Sequence, residues 1–139
     1  MYVATVSTDA GGRAKRRLLL NWFSEASETI ADLGVCSVIA KSLLTEITES
    51  DLTALRTLDT LTRDADLWLL THPCPEPKHG EHVASIVAIF VDLGSLFEGV
   101  RRDPAGADDG KLSMKVKDAC HLVTALQVFA AGLEEASDD

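Results

Sequence analysis

Residues 111–133 read KLSMKVKDACHLVTALQVFAAGL. Leu112, Val116, Ala119, Val123, Leu126, Ala130 and Leu133 recur at intervals of four and three. That spacing places all seven along one side of an α-helix. A second row, Leu122, Leu126, Phe129 and Leu133, widens the stripe until it must face a core rather than a narrow seam. Gly132 and the acids Glu134, Glu135, Asp138 and Asp139 mark the expected end. Negative charge there opposes the helix dipole and predicts a frayed last turn.

Working upstream, Gly106–Lys111 reads G-A-D-D-G-K, within a Gly- and Asp-rich loop from Ala105 to Gly110. Asp103-Pro104 closes the segment before it. That segment, Gly80–Arg102, carries Val83, Val87, Phe90, Gly94 and Phe97 on one side, widened by Ile86, Ile89, Leu93 and Val100. Apolar on most sides, it reads as the central helix of a bundle. Its density of Val, Ile and Phe also suits a strand over 83–91, but the alternation is not period two. Gly94 and Gly99 weaken a helix by about 1 kcal/mol each, which suggests that another helix crosses closely there.

Ala54, Leu58, Leu61, Ala65 and Trp68 define an earlier helix. Thr48 or Ser50 caps it, Glu49 and Asp51 suit its positive end, and Pro73, Pro75 and Pro77 stop it near Thr71. Arg56, Asp59, Arg63 and Asp66 alternate in sign on its solvated side. Before it, Leu19, Phe23, Ala26, Ile30, Leu33, Ser37, Ala40, Leu44 and Ile47 keep one phase. This is either a single helix over 13–48 or two helices broken at Gly34, which would serve as a C′ residue. The unbroken phase favours continuity or a bend. A helix longer than its neighbours leaves an apolar face uncovered, a physical reason to dimerise.

The fold expected is therefore all-α, an antiparallel bundle of four helices, or five if the first breaks near Gly34. Residues 1–12 read as a flexible arm in which Tyr2–Val6 could add a short strand, 13–135 as one bundle domain, and 136–139 as an acidic tail.

The chain has 139 residues, one domain's worth, and is 46% hydrophobic, which is enough to fill a core. Thirteen bases against 22 acids give a net charge of -9. That sign disfavours direct nucleic-acid binding and attraction to an anionic membrane. Val83–Phe97 falls short of a membrane span and is interrupted by Asp92. The apolar run after Arg17 is cut off by Asn21, Ser24, Glu25 and Glu28 before it can form an export signal. Cys36, Cys74 and Cys120 are odd in number and widely spaced, so reduced thiols in a cytoplasm are expected.

One connector has unusual chemistry. It runs His72-Pro-Cys74-Pro-Glu76-Pro-Lys78-His79-Gly80-Glu81-His82. His72, Cys74, His79 and His82 are the ligand types zinc prefers, and four would complete a tetrahedron. The competing reading is a stiff proline-rich connector with incidental histidines. It carries more weight, because the ligand spacing matches no standard pattern and Pro73 separates His72 from Cys74.

Cys120 and His121 are adjacent on a helix and point about 100° apart, so Cys120 reads as core and His121 as rim. A Cys74–His121 nucleophile pair is selected by nothing in the sequence. Asp64, Asp66, Asp108 and Asp109 read as surface charge, and Asp92 as a carboxylate that finds solvent or a basic partner. No phosphate loop occurs, and the two aspartates of G-A-D-D-G-K would repel a phosphate. Arg13, Lys15, Arg16 and Arg17 oppose the dipole at a helix start, which marks them as candidate partner-binding residues, with another subunit's acidic tail as one expected contact.

No catalytic or cofactor-binding residues emerge, so the functional reading leans away from an enzyme. The first expectation is an acidic helical protein that acts by protein–protein binding, as an inhibitor or adaptor of a partner with a basic or nucleic-acid-binding surface. Small phage proteins that block defence machinery offer an analogy of charge and size only. The second is a metal-binding regulator or hydrolase using 72–82. The third is a homodimeric structural subunit.

Overall fold

A computed structural model describes residues 2–45, 52–106 and 109–137. Among them are five α-helices: α1 (Tyr2–Glu25), α2 (Ser27–Thr45), α3 (Leu52–Thr71), α4 (Pro77–Arg102) and α5 (Asp109–Ser137), with a 3-10 turn at Pro104–Gly106. α2, α3, α4 and α5 form an antiparallel four-helix bundle. α2 and α4 each pack against both α3 and α5, and meet each other only lightly across the diagonal. Along its backbone α1 comes near α2 and α5, and its Trp22 and Phe23 side chains also reach Trp68 of α3 and His79 of α4.

The seams close on one core. Leu33, Cys36, Ala40, Phe90, Ile86, Leu93 and Ala119 have no exposed surface, and Leu58, Val83, Phe97, Val116 and Val123 are nearly as deep. Burying such side chains stabilises by roughly 1.5–3 kcal/mol each. Ser37 and Thr62 sit in the core by donating their hydroxyls to the carbonyls of Leu33 and Asp59, so neither polar group is stranded. By length and composition α4 could cross a membrane. Here only its inner side is buried, while Val91 and Leu96 stay exposed, so α4 is one of four like-placed helices and not the central one that the apolar width of 83–100 predicts.

Several boundaries differ from expectation. The first helical stretch divides at Ala26, not at Gly34. The Ala26 amide still bonds Trp22 O (2.8 Å) and its carbonyl still accepts from the Ile30 amide (2.8 Å), so α1 joins α2 with no loop. Gly34 lies inside α2 and faces α5, where a Cβ would stand 3.1 Å from Gln127 Nε2, the movable tip of an exposed side chain. The close crossing expected at Gly94 and Gly99 is not there, since a Cβ at Gly94 makes ordinary contact and one at Gly99 meets open space.

α4 begins at Pro77 rather than Gly80, because proline at the first position of a helix forfeits no hydrogen bond. α5 starts at Asp109, within the expected loop, and passes Gly132 to end at Ser137. The strand considered for Tyr2–Val6 is helix, and α1 extends eleven residues upstream of Arg13. Residues 12–18 of α1 are exposed, so this part of the helix stands off the bundle. The cap at Thr48 or Ser50, with Glu49 and Asp51, lies outside the described residues, as do Ile47, Asp108 and Asp138–Asp139.

Candidate functional site

At one end of the bundle α1 turns into α2, α3 stops, α4 starts and α5 passes on its way to its C-terminus. Aromatic rings fill the corner. Trp22 meets Phe23 edge-on (5.0 Å, 88°) and tilts against Trp68 (5.4 Å). Phe129 of α5 packs its edge on Phe23 (5.5 Å). Trp22 Nε1 donates to the His72 carbonyl at 2.8 Å, which ties the α1–α2 corner to the chain just beyond α3. Such pairs add about 0.5–1.5 kcal/mol beyond burial.

Two candidate ligands belong to this corner. The His72 ring lies flat on Trp68 (4.5 Å, 6°), and its Nδ1 is 3.0 Å from the Trp68 carbonyl and 2.9 Å from Thr71 Oγ1. His79 stacks on Phe129 (4.9 Å, 27°) and presents Nε2 to Glu76 Oε2 at 2.9 Å. Cys74 folds back on the first turn of α4, where Gly80 makes room: a Cβ there would be 3.0 Å from Cys74 Cβ. His82 is exposed. Among the described residues no three His, Cys, Asp or Glu side chains come together to hold a metal. The structure therefore does not assemble His72, Cys74, His79 and His82 into a zinc site. His72 and His79 are instead committed to different aromatic neighbours, on opposite sides of the proline run.

Around the corner lies a rim of acids. Glu25, Glu28, Asp32, Asp64, Asp66, Glu76 and Glu81 occur on the parts of α1–α4 nearest this end, against Arg63 and Lys78. The Asp32 carboxyl is held above its ordinary pKa by burial first, then by the charges of Glu28 and Asp64. Asp64 and Asp66 were readable as charged surface. That Asp64 acts on Asp32 across two helices was not, since it depends on which faces of α2 and α3 meet.

The folded carboxyl of Asp32 takes up its proton at higher pH than the unfolded one. Its destabilising charge is thus felt above the raised pKa and relieved as pH falls through it. Asp32→Asn is expected to raise Tm by about 1–2 °C at neutral pH, since like-charge pairs on helices cost a few tenths of a kcal/mol. Thermal melts should show that difference vanish by about pH 3, where Asp32 is protonated in either state.

Arg13, Lys15, Arg16 and Arg17 are all exposed on the free-standing part of α1, and among the described residues none has an ion-pair partner. Residues 1–17 carry four bases and Asp9, a net charge of +3; the remainder carries nine bases and 21 acids, a net charge of -12.

Elsewhere the chemistry is quiet. A furrow of about 470 Å³ between α3 and α4 contains Asp59 and Glu98. Asp59 is paired with Arg63 (3.2 Å), and Glu98 with Arg101 (3.0 Å) and Arg102 (3.3 Å). The hydrogen bond from Arg101 holds Glu98 below its ordinary pKa. Asp92 pairs with Lys115 of α5, as the reading of a solvated or partnered acid expected. The Cys36 thiol is pushed up to about 12, by burial first and then by Asp32. Cys120 turns toward α2, its sulfur 3.9 Å from the Ser37 carbonyl, while His121 is exposed. No family model, curated protein or solved structure matches this chain.

Proposed function

We propose that the protein acts by binding, as a non-enzymatic adaptor or inhibitor whose acidic bundle end engages a basic protein surface. The observation that carries this reading is the seven-to-two excess of acids over bases in the segments that meet at that end, with Glu28 and Asp64 close enough to act on the Asp32 carboxyl. Surface charge left uncompensated within the fold's own ion pairs is compensated best by a cationic partner, and it also speeds the encounter. The carboxylates of the α3–α4 furrow support it as well. Those already neutralised by arginine are poor general acids or bases near neutral pH. Free thiols at Cys36, Cys74 and Cys120 are compatible with a cytoplasmic setting.

The test is capture of basic proteins by the immobilised full chain across a salt series. Retention should fall steeply as salt rises, since screening reaches ~10 Å at 0.1 M and ~3 Å at 1 M. The variant Asp64→Asn/Asp66→Asn/Glu81→Gln should lose most of that retention while keeping its helical circular dichroism. Retention that is indifferent to salt, or unchanged in the variant, overturns the reading.

A further inference from the structure

α1 is anchored by one half only. Leu19, Trp22 and Phe23 are buried, whereas residues 12–18 are exposed without exception. Arg13, Lys15, Arg16 and Arg17 all lie on this projecting stretch, and no acid occurs from Gly11 to Asn21. Successive helical positions turn by about 100°, so Arg13, Arg16 and Arg17 share one side while Lys15 points nearly the opposite way. The projection is therefore cationic all round. Arg13 stands three and four positions before Arg16 and Arg17, spacings at which like charges repel. No ion pair offsets that repulsion among the described residues.

The complement of this arm is in the same chain. Residues 1–17 carry a net charge of +3 and the remainder -12. Yet Arg17 precedes Glu25 by eight residues, about 12 Å along the axis. α1 is helical throughout, so the arm cannot fold back on the acids that follow it. Glu28, Asp64, Asp66 and Glu81 are exposed and, among the described residues, also without ion pairs. Asp66 and Glu81 line one hollow between α3 and α4. Glu28 and Asp64 both act on the Asp32 carboxyl.

Arm and acids belong to the same end of the bundle, where Trp22 and Phe23 meet Trp68 and His79. Complementary charges at one end of a molecule satisfy each other when two copies meet about a two-fold axis at that end. One contact is then made twice and the assembly closes, whereas complements at opposite ends would build an open chain. We infer that the projecting part of α1 docks on the acidic bundle end of a second copy, giving a reciprocal dimer held by Arg13, Lys15, Arg16 and Arg17. The inference rests on the acidic-end reading and names one occupant of that end, which a basic partner would have to displace.

Sedimentation equilibrium of the full chain from micromolar to submillimolar concentration should show a monomer–dimer equilibrium. It should weaken about tenfold or more as salt rises from about 0.1 M to about 1 M, since the screening length falls from ~10 Å to ~3 Å. Arg13→Glu/Arg16→Glu/Arg17→Glu should weaken it about tenfold or more, and so should Asp64→Asn/Asp66→Asn/Glu81→Gln. A mixture of these two variants should form a one-to-one heterodimer, because the arm of the second still meets the acids of the first. All six positions are exposed, so unchanged circular dichroism identifies a true interface effect. A monomer at every concentration overturns the inference, as does a mixture that stays monomeric while the unmodified chain dimerises. Arm-dependent binding to a short DNA duplex or to phosphatidylserine vesicles, by a chain that does not self-associate, also overturns it. Salt-sensitive capture of basic proteins by a chain that stays monomeric overturns this inference alone; absence of both capture and dimer overturns the acidic-end reading with it.

Discussion

Replacing Phe90 by alanine should lower Tm by about 10–15 °C. Phe90 lies midway along α4, has no exposed surface, and belongs to the same core as Leu58, Leu93 and Phe97. Removing a buried phenylalanine ring costs about 3–5 kcal/mol in lost transfer energy and residual cavity. Domains of this kind have only about 5–15 kcal/mol in all. The side chain also borders the α3–α4 furrow, so the void would open toward existing space at Gly94 and Val91. Urea titration should show the midpoint falling with little change in slope, which separates lost stability from a changed unfolded state. Phe90→Leu, which keeps most of the volume, should recover more than half the loss.

Trp22→Ala should be nearly as damaging, for a different reason. Trp22 is 4% exposed and its indole touches Phe23 and Trp68. Its Nε1–H also satisfies the His72 carbonyl, which lies just beyond α3. Truncation removes the ring, at about 3–5 kcal/mol, and leaves that carbonyl without its donor, at about 1–3 kcal/mol more where it is shielded from water. Trp22→Phe separates the parts: it keeps an aromatic filler and should cost about 1–2 kcal/mol. The damage should centre on the corner that holds α1. Hydrogen exchange at the α1–α2 junction and around Trp68 should accelerate before exchange in the middle of α4 does. Uniform acceleration along the whole chain would instead make the corner an integral part of the core.

Much of the core could be read directly. Val83, Val87, Phe90 and Phe97, and Leu112, Val116, Ala119, Val123 and Leu126, were assigned to seams by spacing alone and are all buried. The misreadings share a cause. Gly34 was a candidate break because glycine weakens isolated helices, yet packing of α2 against α3 and α5 carries the helix through it. Leu44 was placed in the α2 seam, but Leu43 is the deeper of the two, since four-and-three spacing drifts against the 3.6-residue turn near a helix end. Thr62 shows no apolar signal and is nonetheless buried, because its hydroxyl turns back to its own helix.

The candidate sites were less legible. The four ligand-type residues of 72–82 look like one cluster along the chain. In space, Trp68 takes His72, and Phe129 together with Glu76 takes His79. Phe129 is fifty residues away in sequence from His79, and nothing local announces that contact. The acidic end likewise draws on residues from Glu25 to Glu81, each ordinary surface charge in its own segment.

Helix identity, and which residues share a side, follow from the order of residues because both are properties of a repeat shorter than two turns, formed by neighbours along the chain. Where the corner falls, which helix passes Gly34 and which rings meet His79 were decided only when four helices competed for one core. Those outcomes depend on contacts such as Trp22–His72, Ser37–Cys120 and Gly34–Gln127, 50, 83 and 93 positions apart, and no local pattern encodes which of two similar faces will turn inward.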